Sequence, residues 1–293
     1  MKGKNTYFMK AALAMALVVA MLPLNGISQT LRGDFNMDGL VNISDAIMMA
    51  NSLSTGSMGE VSPEERDTVE VNGIQFVMVR VKGGTYSLKY GKVRTVPDFW
   101  IGQTEVTYEL WWEVMGNHSP AYGYNDHAVN FVSWYECQDF VEKLSELTGR
   151  NFRLPYADEW RYAAMGGRLS RGYIYSGSNN IDEVAWYYYN DAIGESQSSG
   201  NHAVALKAPN ELGLYDMSGN VAEWVQEMRE ISVIQTGEVI RSAWLFGGWW
   251  GSYAKDCTPT SVVLENPNSR AGLRLAIPAT DEPWQAEGWP DQY

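Results

Sequence analysis

Histidine, cysteine and basic charge are all scarce in this 293-residue chain, and each scarcity excludes something. The only histidines, His118, His127 and His202, show no metal-ligand spacing, so a histidine-based zinc centre is not expected. Two cysteines, Cys137 and Cys257, are too few for a disulfide scaffold, and their spacing leaves open whether they meet. With 22 Lys and Arg against 35 Asp and Glu, the net charge is −13. That balance argues against a nucleic-acid partner, whose phosphates need a basic footprint. No GxSxG, HExxH or phosphate loop occurs, and no pair of carboxylates stands out as a glycosidase pair. After residue 22 no stretch is apolar enough to span a bilayer.

What is present begins with a leader. Lys2, Lys4 and Lys10 precede an apolar run from Ala11 to Leu22, and Gly26 and Ser28 suit a cut before Gln29. Residues 1–28 are therefore predicted to be a signal peptide, which makes the mature protein secreted, periplasmic or displayed at the cell surface, with no membrane span. No cysteine follows the leader, so a lipid anchor is not expected.

Residues 31–54 form a small calcium module. Asp34, Asn36 and Asp38 stand at positions 1, 3 and 5 of a twelve-residue loop. Gly39 permits the sharp turn, Leu40 offers its carbonyl at position 7, Asn42 stands at position 9, and Asp45 closes at position 12. A short helix with an apolar stripe, Ala46–Leu53, follows. The pattern resembles one half of a dockerin repeat, which implies a docking partner reached through the calcium-clamped loop. Dockerins usually carry two such repeats, and this chain has one. Residues 55–68 read as a polar linker, 69–279 as one globular domain and 280–293 as an acidic tail.

Within the large domain, Trp134, Cys137, Phe140, Val141, Leu144 and Leu147 recur at helical spacing between a capping Ser133 and a terminating Gly149, predicting a helix over Trp134–Thr148. A second helix is predicted over Ala157–Met165 after Pro155. Strands are predicted at Gln75–Val81, Val96–Ile101 and Arg274–Ile277. The remainder, rich in Gly, Trp and Tyr, reads as long loops of an irregular α+β domain. Cys137, on the apolar stripe of the first helix, is expected in the core. Glu105 and Arg153 are expected to be paired if buried, with Arg270 and Arg274 as partners for Glu159 or Glu223.

Six ordered blocks carry a family resemblance: Phe76–Tyr86 with Gly83-Gly84; Asp98–Thr107; Val132–Trp134; Phe152–Ala164; Pro209–Trp224, containing SGNVAEW; and Gly247-Gly248 with Arg270–Arg274. Together they are similar to the formylglycine-generating, or sulfatase-modifying-factor, family. The resemblance implies an irregular C-type-lectin-like fold. It also implies a structural Ca²⁺ held by Asp216 and Glu223 side chains and Gly219 and Val221 carbonyls, a hard-oxygen set that suits Ca²⁺.

In the family's enzymes, two cysteines four and nine residues past the Gly pair hold Cu(I) and oxidise a sulfatase cysteine to formylglycine. Here those positions are Ser252 and Cys257. A hydroxyl is a hard, poor ligand for Cu(I), so copper is not expected. Cys257 is a catalytic candidate only if the chain is an oxidase. The Ser and Trp that the family places beside this site are Trp249 and Ala222. Trp244, Trp249, Trp250 and Tyr253 are candidates for stacking on a glycan or on a partner's apolar patch. The sequence thus points to a non-catalytic, calcium-stabilised binding or adhesion module with an extracellular protein or glycan ligand. The formylglycine-generating oxidase is the alternative.

Overall fold

The computed structural model describes residues 65–88, 92–116, 124–191, 200–232 and 239–280. The expected leader, the calcium loop Asp34–Asp45, most of the linker and almost all of the tail lie outside these residues. The chain divides into a unit Met1–Met58 and a larger unit Gly59–Tyr293, which holds all the described residues.

Among the described residues, ten short strands and few helices make a mixed, strand-rich fold. The first sheet runs β1 (Arg66–Val71), β2 (Ile74–Val81), β5 (Phe99–Gly102) and β10 (Ala276–Pro278), with every pairing antiparallel. A hairpin of β3 (Gly84–Ser87) and β4 (Val93–Val96) stands apart from it. The second sheet is ordered β8 (Val262–Glu265), β7 (Val239–Phe246), β6 (Glu223–Ser232) and β9 (Gly272–Leu273). The helices are α1 (Tyr108–Met115), α2 (Trp134–Thr148), α3 (Ala157–Ala164) and the single turn α4 (Ile181–Val184).

The inner strands β2 and β7 pack side chains from both faces into cores, and the period of two along each strand explains how. In β2, Phe76 and Met78 point to one core while Val77, Val79 and Val81 point to another. In β7, Ala243 and Leu245 join the first core, and Trp244 and Phe246 the second. α1 and α2 cover the first core, where the Trp111 and Phe140 rings stack at 4.9 Å. α3 covers the second through Trp160 and Ala163. A small third cluster gathers Ile181, Ala185, Tyr187 and Cys257.

α2 occupies the predicted residues, and its capping box is complete: Glu136 N–H donates to Ser133 Oγ at 3.2 Å, while Glu136 Oε2 accepts from Ser133 N–H at 2.8 Å. Gly149 closes it in the left-handed conformation. Leu147, expected on the apolar stripe, is half exposed, because the buried stripe ends at Leu144. The strand predicted over Val96–Ile101 is broken: Val96 ends β4 and Phe99 starts β5, on either side of Pro97. Of the strand predicted over Arg274–Ile277 only Ala276 and Ile277 are strand, in β10, while Arg274 and Leu275 lie between β9 and β10. α1 and β6 to β8 were not expected from the pattern. In β7 the C-terminal half is apolar and buried on both faces, which erases the alternation that marks a strand with one wet face.

Candidate functional site

The connection after β7 is built around the Gly pair. Gly247 and Gly248 have φ of 87° and 72°. A Cβ on Gly248 would lie 2.8 Å from Asp256 O and 2.9 Å from Cys257 Sγ, so only glycine fits there. The chain then turns tightly, with Trp249 N–H donating to Ser252 Oγ and Ser252 N–H to Trp249 O. This turn and β8 flank a cavity of about 870 Å³ whose other walls include Phe131, Ala222 and Arg270.

Of the four aromatic candidates, three line this cavity. Trp249 (44% exposed) and Tyr253 (51%) face solvent, and Trp250 packs edge-on against Trp249. Trp244 does not belong with them. The alternation of β7 turns it into the second core beside Phe246, which corrects its assignment as a ligand-stacking residue. Phe131 was missed. It is 65% exposed, has φ of 63°, and is held by its N–H to Asn130 Oδ1 and by Arg270 to its carbonyl. No sequence signal distinguishes a lone Phe pushed out of a core from one inside it. Tyr188 and Tyr189 extend the aromatic surface, with ring centroids 5.2 Å and 6.2 Å from Tyr253. Asp256 and Glu265 give the cavity negative charge, while the guanidinium of Arg270 is engaged by Glu136 at 2.5 Å.

The two positions of the copper motif have different surroundings. Ser252 lines the cavity and holds its turn. Cys257 is fully buried in the third cluster under Gly248, where burial pushes its thiol up to about 12. A thiol this hard to ionise supplies little thiolate for metal or substrate. Cys137 is buried in the first core as expected, and both cysteines are free thiols.

A buried charged cluster forms around Arg274. Arg274 is fully buried and donates to both oxygens of Glu223 at 2.8–3.2 Å, and also to the carbonyls of Gly102 and Tyr215. Glu223 accepts as well from Trp160 Nε1 at 2.6 Å. The expected Arg274–Glu223 pair is therefore present, whereas Arg270 pairs with Glu136 and Arg153 takes Glu159 at 2.6 Å. Asp216 Oδ2 accepts from Ala205 N–H at 2.7 Å, and its Oδ1 has no partner. Glu105 Oε1 accepts from Asn220 Nδ2 at 3.1 Å, and its Oε2 has no partner either. The ion pair expected for Glu105 is absent, because Arg274 points at Glu223 instead. Burial first, and then the charge of Asp216, raise the Glu105 carboxyl well above its ordinary range. Burial likewise lifts Asp216 to about 6.

The implied calcium set fits this arrangement in part. Asp216 has a free, buried, hard oxygen. Glu223 does not fit, since both its oxygens are already taken by Arg274 and Trp160. Gly219 (φ 77°) and Val221 lie on the same segment. A Cβ on Gly219 would stand 2.1 Å from Trp186 O, which explains the glycine. Among the described residues, no group of three or more His, Cys, Asp or Glu converges to hold a metal.

His202 and Trp186 form a further unit. Their rings stack at 4.0 Å, Lys207 Nζ sits over the Trp186 ring at 4.0 Å, and His202 Nε2 bonds Asp191 at 2.9 Å.

Residues 63–279 match the family described as Sulfatase-modifying factor enzyme 1-like domain. The chain belongs to this family. A chaperone protein LppX of Paenibacillus barcinonensis is 34% identical over 200 residues, covering 51% of this chain and 71% of that protein. The inactive C-alpha-formylglycine-generating enzyme 2 of Bos taurus is 28% identical, and the match covers 53% of this chain and 52% of that enzyme. Among solved structures, Treponema denticola variable protein 1 superposes with a TM-score of 0.60 at 28% identity, covering 73% of this chain and 99% of that one. Thus the sulfatase-modifying-factor scaffold occurs among these relatives without its oxidase activity. Among the described residues, no helix is long and apolar enough to cross a membrane.

Proposed function

We propose that this sulfatase-modifying-factor domain is a non-catalytic, calcium-stabilised binding or adhesion module that takes an extracellular protein or glycan in the cavity beside β8. One observation carries the reading. The position that would hold the oxidase's reactive sulfur is buried under Gly248 with its thiol pushed up to about 12, while the cavity wall beside it presents exposed aromatic rings. Trp249, Tyr253 and Phe131 offer wide apolar faces, with a polar edge on the first two, suited to stacking on sugar rings or on a partner's apolar anchor. An inactive relative and a relative named as a chaperone support a scaffold used for recognition.

The reading includes export through residues 1–28, the calcium loop Asp34–Asp45 as a docking element, the C-type-lectin-like form of the domain, and calcium as the one metal. The test is an array of glycans and extracellular proteins probed with the full chain and with Trp249→Ala/Tyr253→Ala. The double variant is expected to lose binding more than ten-fold while melting unchanged. Equal binding by both proteins would remove the cavity from the reading.

The oxidase alternative rests on the family's enzymes. It requires that the chain, loaded with copper and given a sulfatase-type cysteine peptide and oxygen, turn the thiol into an aldehyde detectable by mass. We expect no conversion.

A further inference from the structure

Uncommitted polar groups surround the cavity beside β8, and their charge is of one sign. Asp256 is exposed, and its carboxylate has no partner among the described residues. Glu265 Oε2 accepts from Ser269 Oγ at 3.2 Å, which leaves Oε1 uncommitted. The cation on the wall, Arg270, is held by Glu136 and by the carbonyl of Phe131. Neutral donors are unused as well. Trp249 Nε1 and the Tyr253 hydroxyl are unpartnered among the described residues. Asn130, a wall residue only 7% exposed, gives Oδ1 to Phe131 N–H at 2.8 Å and leaves Nδ2 without a partner. A buried amide N–H without an acceptor is costly, so this donor calls for an oxygen that the described residues do not supply.

The aromatic platform is fixed in place. A Cβ on Gly251 would stand 2.7–2.9 Å from three carbons of the Trp249 ring. One face of the indole therefore rests on Gly251, and only glycine leaves room for it.

We propose that the ligand of this cavity is a neutral glycan, with a sugar ring stacked on Trp249 and its hydroxyls shared between the Asp256 and Glu265 carboxylates and the Asn130 amide. This rests on the cavity reading above and narrows it. Each sugar hydroxyl both donates and accepts, which suits a wall that offers free carboxylate oxygens beside free N–H and O–H groups. A partner's apolar anchor would cover those groups and answer none of them. A lysine or arginine head group answers the carboxylates but has no acceptor for the donors. Sialyl, uronate and sulfate groups are repelled by the two carboxylates, and the guanidinium that would receive them is taken by Glu136. The volume of about 870 Å³ falls within the range of small-ligand pockets, so it admits a few sugar rings and not a folded domain. Tyr188 and Tyr189 continue the aromatic surface from Tyr253, where further rings of a chain would lie.

The experiment titrates the full chain, by saturation-transfer NMR and calorimetry, with neutral oligosaccharides of glucose, mannose, galactose and N-acetylglucosamine. Each is paired with the uronate made by oxidising its primary hydroxyls, and tetralysine serves as the cationic probe. All are measured at low and high salt. At least one neutral glycan is expected to bind with an affinity that salt does not change, and its uronate at least ten-fold more weakly at low salt. Asp256→Asn/Glu265→Gln should weaken the neutral glycan several-fold and shrink its advantage over the uronate. Asn130→Asp keeps the bond to Phe131 N–H but exchanges the donor for an acceptor, and should weaken the neutral glycan at least five-fold. If Asn130→Asp does not fold, the Asp256→Asn/Glu265→Gln pair, on the cavity rim, carries the test. The proposal is overturned if no neutral glycan binds, if a uronate binds as tightly as its neutral parent, or if tetralysine alone binds and is released by salt. Binding of tetralysine or of a protein that Trp249→Ala/Tyr253→Ala abolishes, with no glycan bound, would leave the cavity reading standing and sink only the glycan. A glycan held equally well by Trp249→Ala/Tyr253→Ala would sink both.

Discussion

At the scale of single residues, neighbours decide what a side chain can do. Cys257 keeps the family's position but sits among Ile181, Ala185 and Tyr187 beneath a glycine with no room for a Cβ. A thiol-specific reagent at pH 8 is expected to leave the native chain unmodified and to find two thiols without reductant once the chain is unfolded. Rapid native labelling would contradict the burial of Cys257 and reopen the oxidase alternative. Arg274 is the opposite case, a charge with every direction answered. Arg274→Met would leave Glu223 buried without its cation and is expected to cost about 3–5 kcal/mol in denaturant melts. A loss under about 1 kcal/mol would mean that the pair is not what holds β6 and β9 to the core.

At the scale of elements, helix ends and sheet connections carry the information. Glu227 on β6 accepts from Ala157 N–H at 2.9 and 3.0 Å and so caps α3 from another element. Burial lifts its carboxyl to about 7. An acid with a raised folded pKa binds its proton more tightly in the native state. Its contribution to stability is therefore fully present below the ordinary value near 4.5 and declines as pH rises to about 7. Glu227→Gln, which keeps an acceptor and loses the charge, should flatten that part of the stability profile. An unchanged slope between pH 5 and 7 would show that Glu227 is not responsible. Ser133→Ala should cost about 1 kcal/mol through the lost cap of α2. α2 was readable residue by residue from its cap, stripe and terminating glycine. The residues Val239–Phe246 of β7 were not, because both faces of its C-terminal half are buried and no period survives.

At the scale of the whole molecule, the cores lie within the unit Gly59–Tyr293. A chain lacking residues 1–58 is expected to keep its far-UV spectrum and unfold in one cooperative step. Loss of cooperativity would mean that the N-terminal unit is needed for folding. The cavity is a property of this scale, since it draws on Phe131, the turn after β7, β8 and Arg270, segments separated by more than a hundred residues.

The amino-acid sequence by itself determined the family, the capped helix α2, the core placement of Cys137 and the absence of a second sulfur four residues past the Gly pair. Each is a local pattern or an ordered set of blocks, which linear order preserves. Tertiary structure alone decided that Trp244 is core and Phe131 is surface, that Arg274 and not a metal claims Glu223, and that Glu105 and Asp216 are left with empty oxygens. Those outcomes turn on which side chains meet across the fold, and in a buried cluster a single hydrogen-bond partner changes a ligand into a counter-ion.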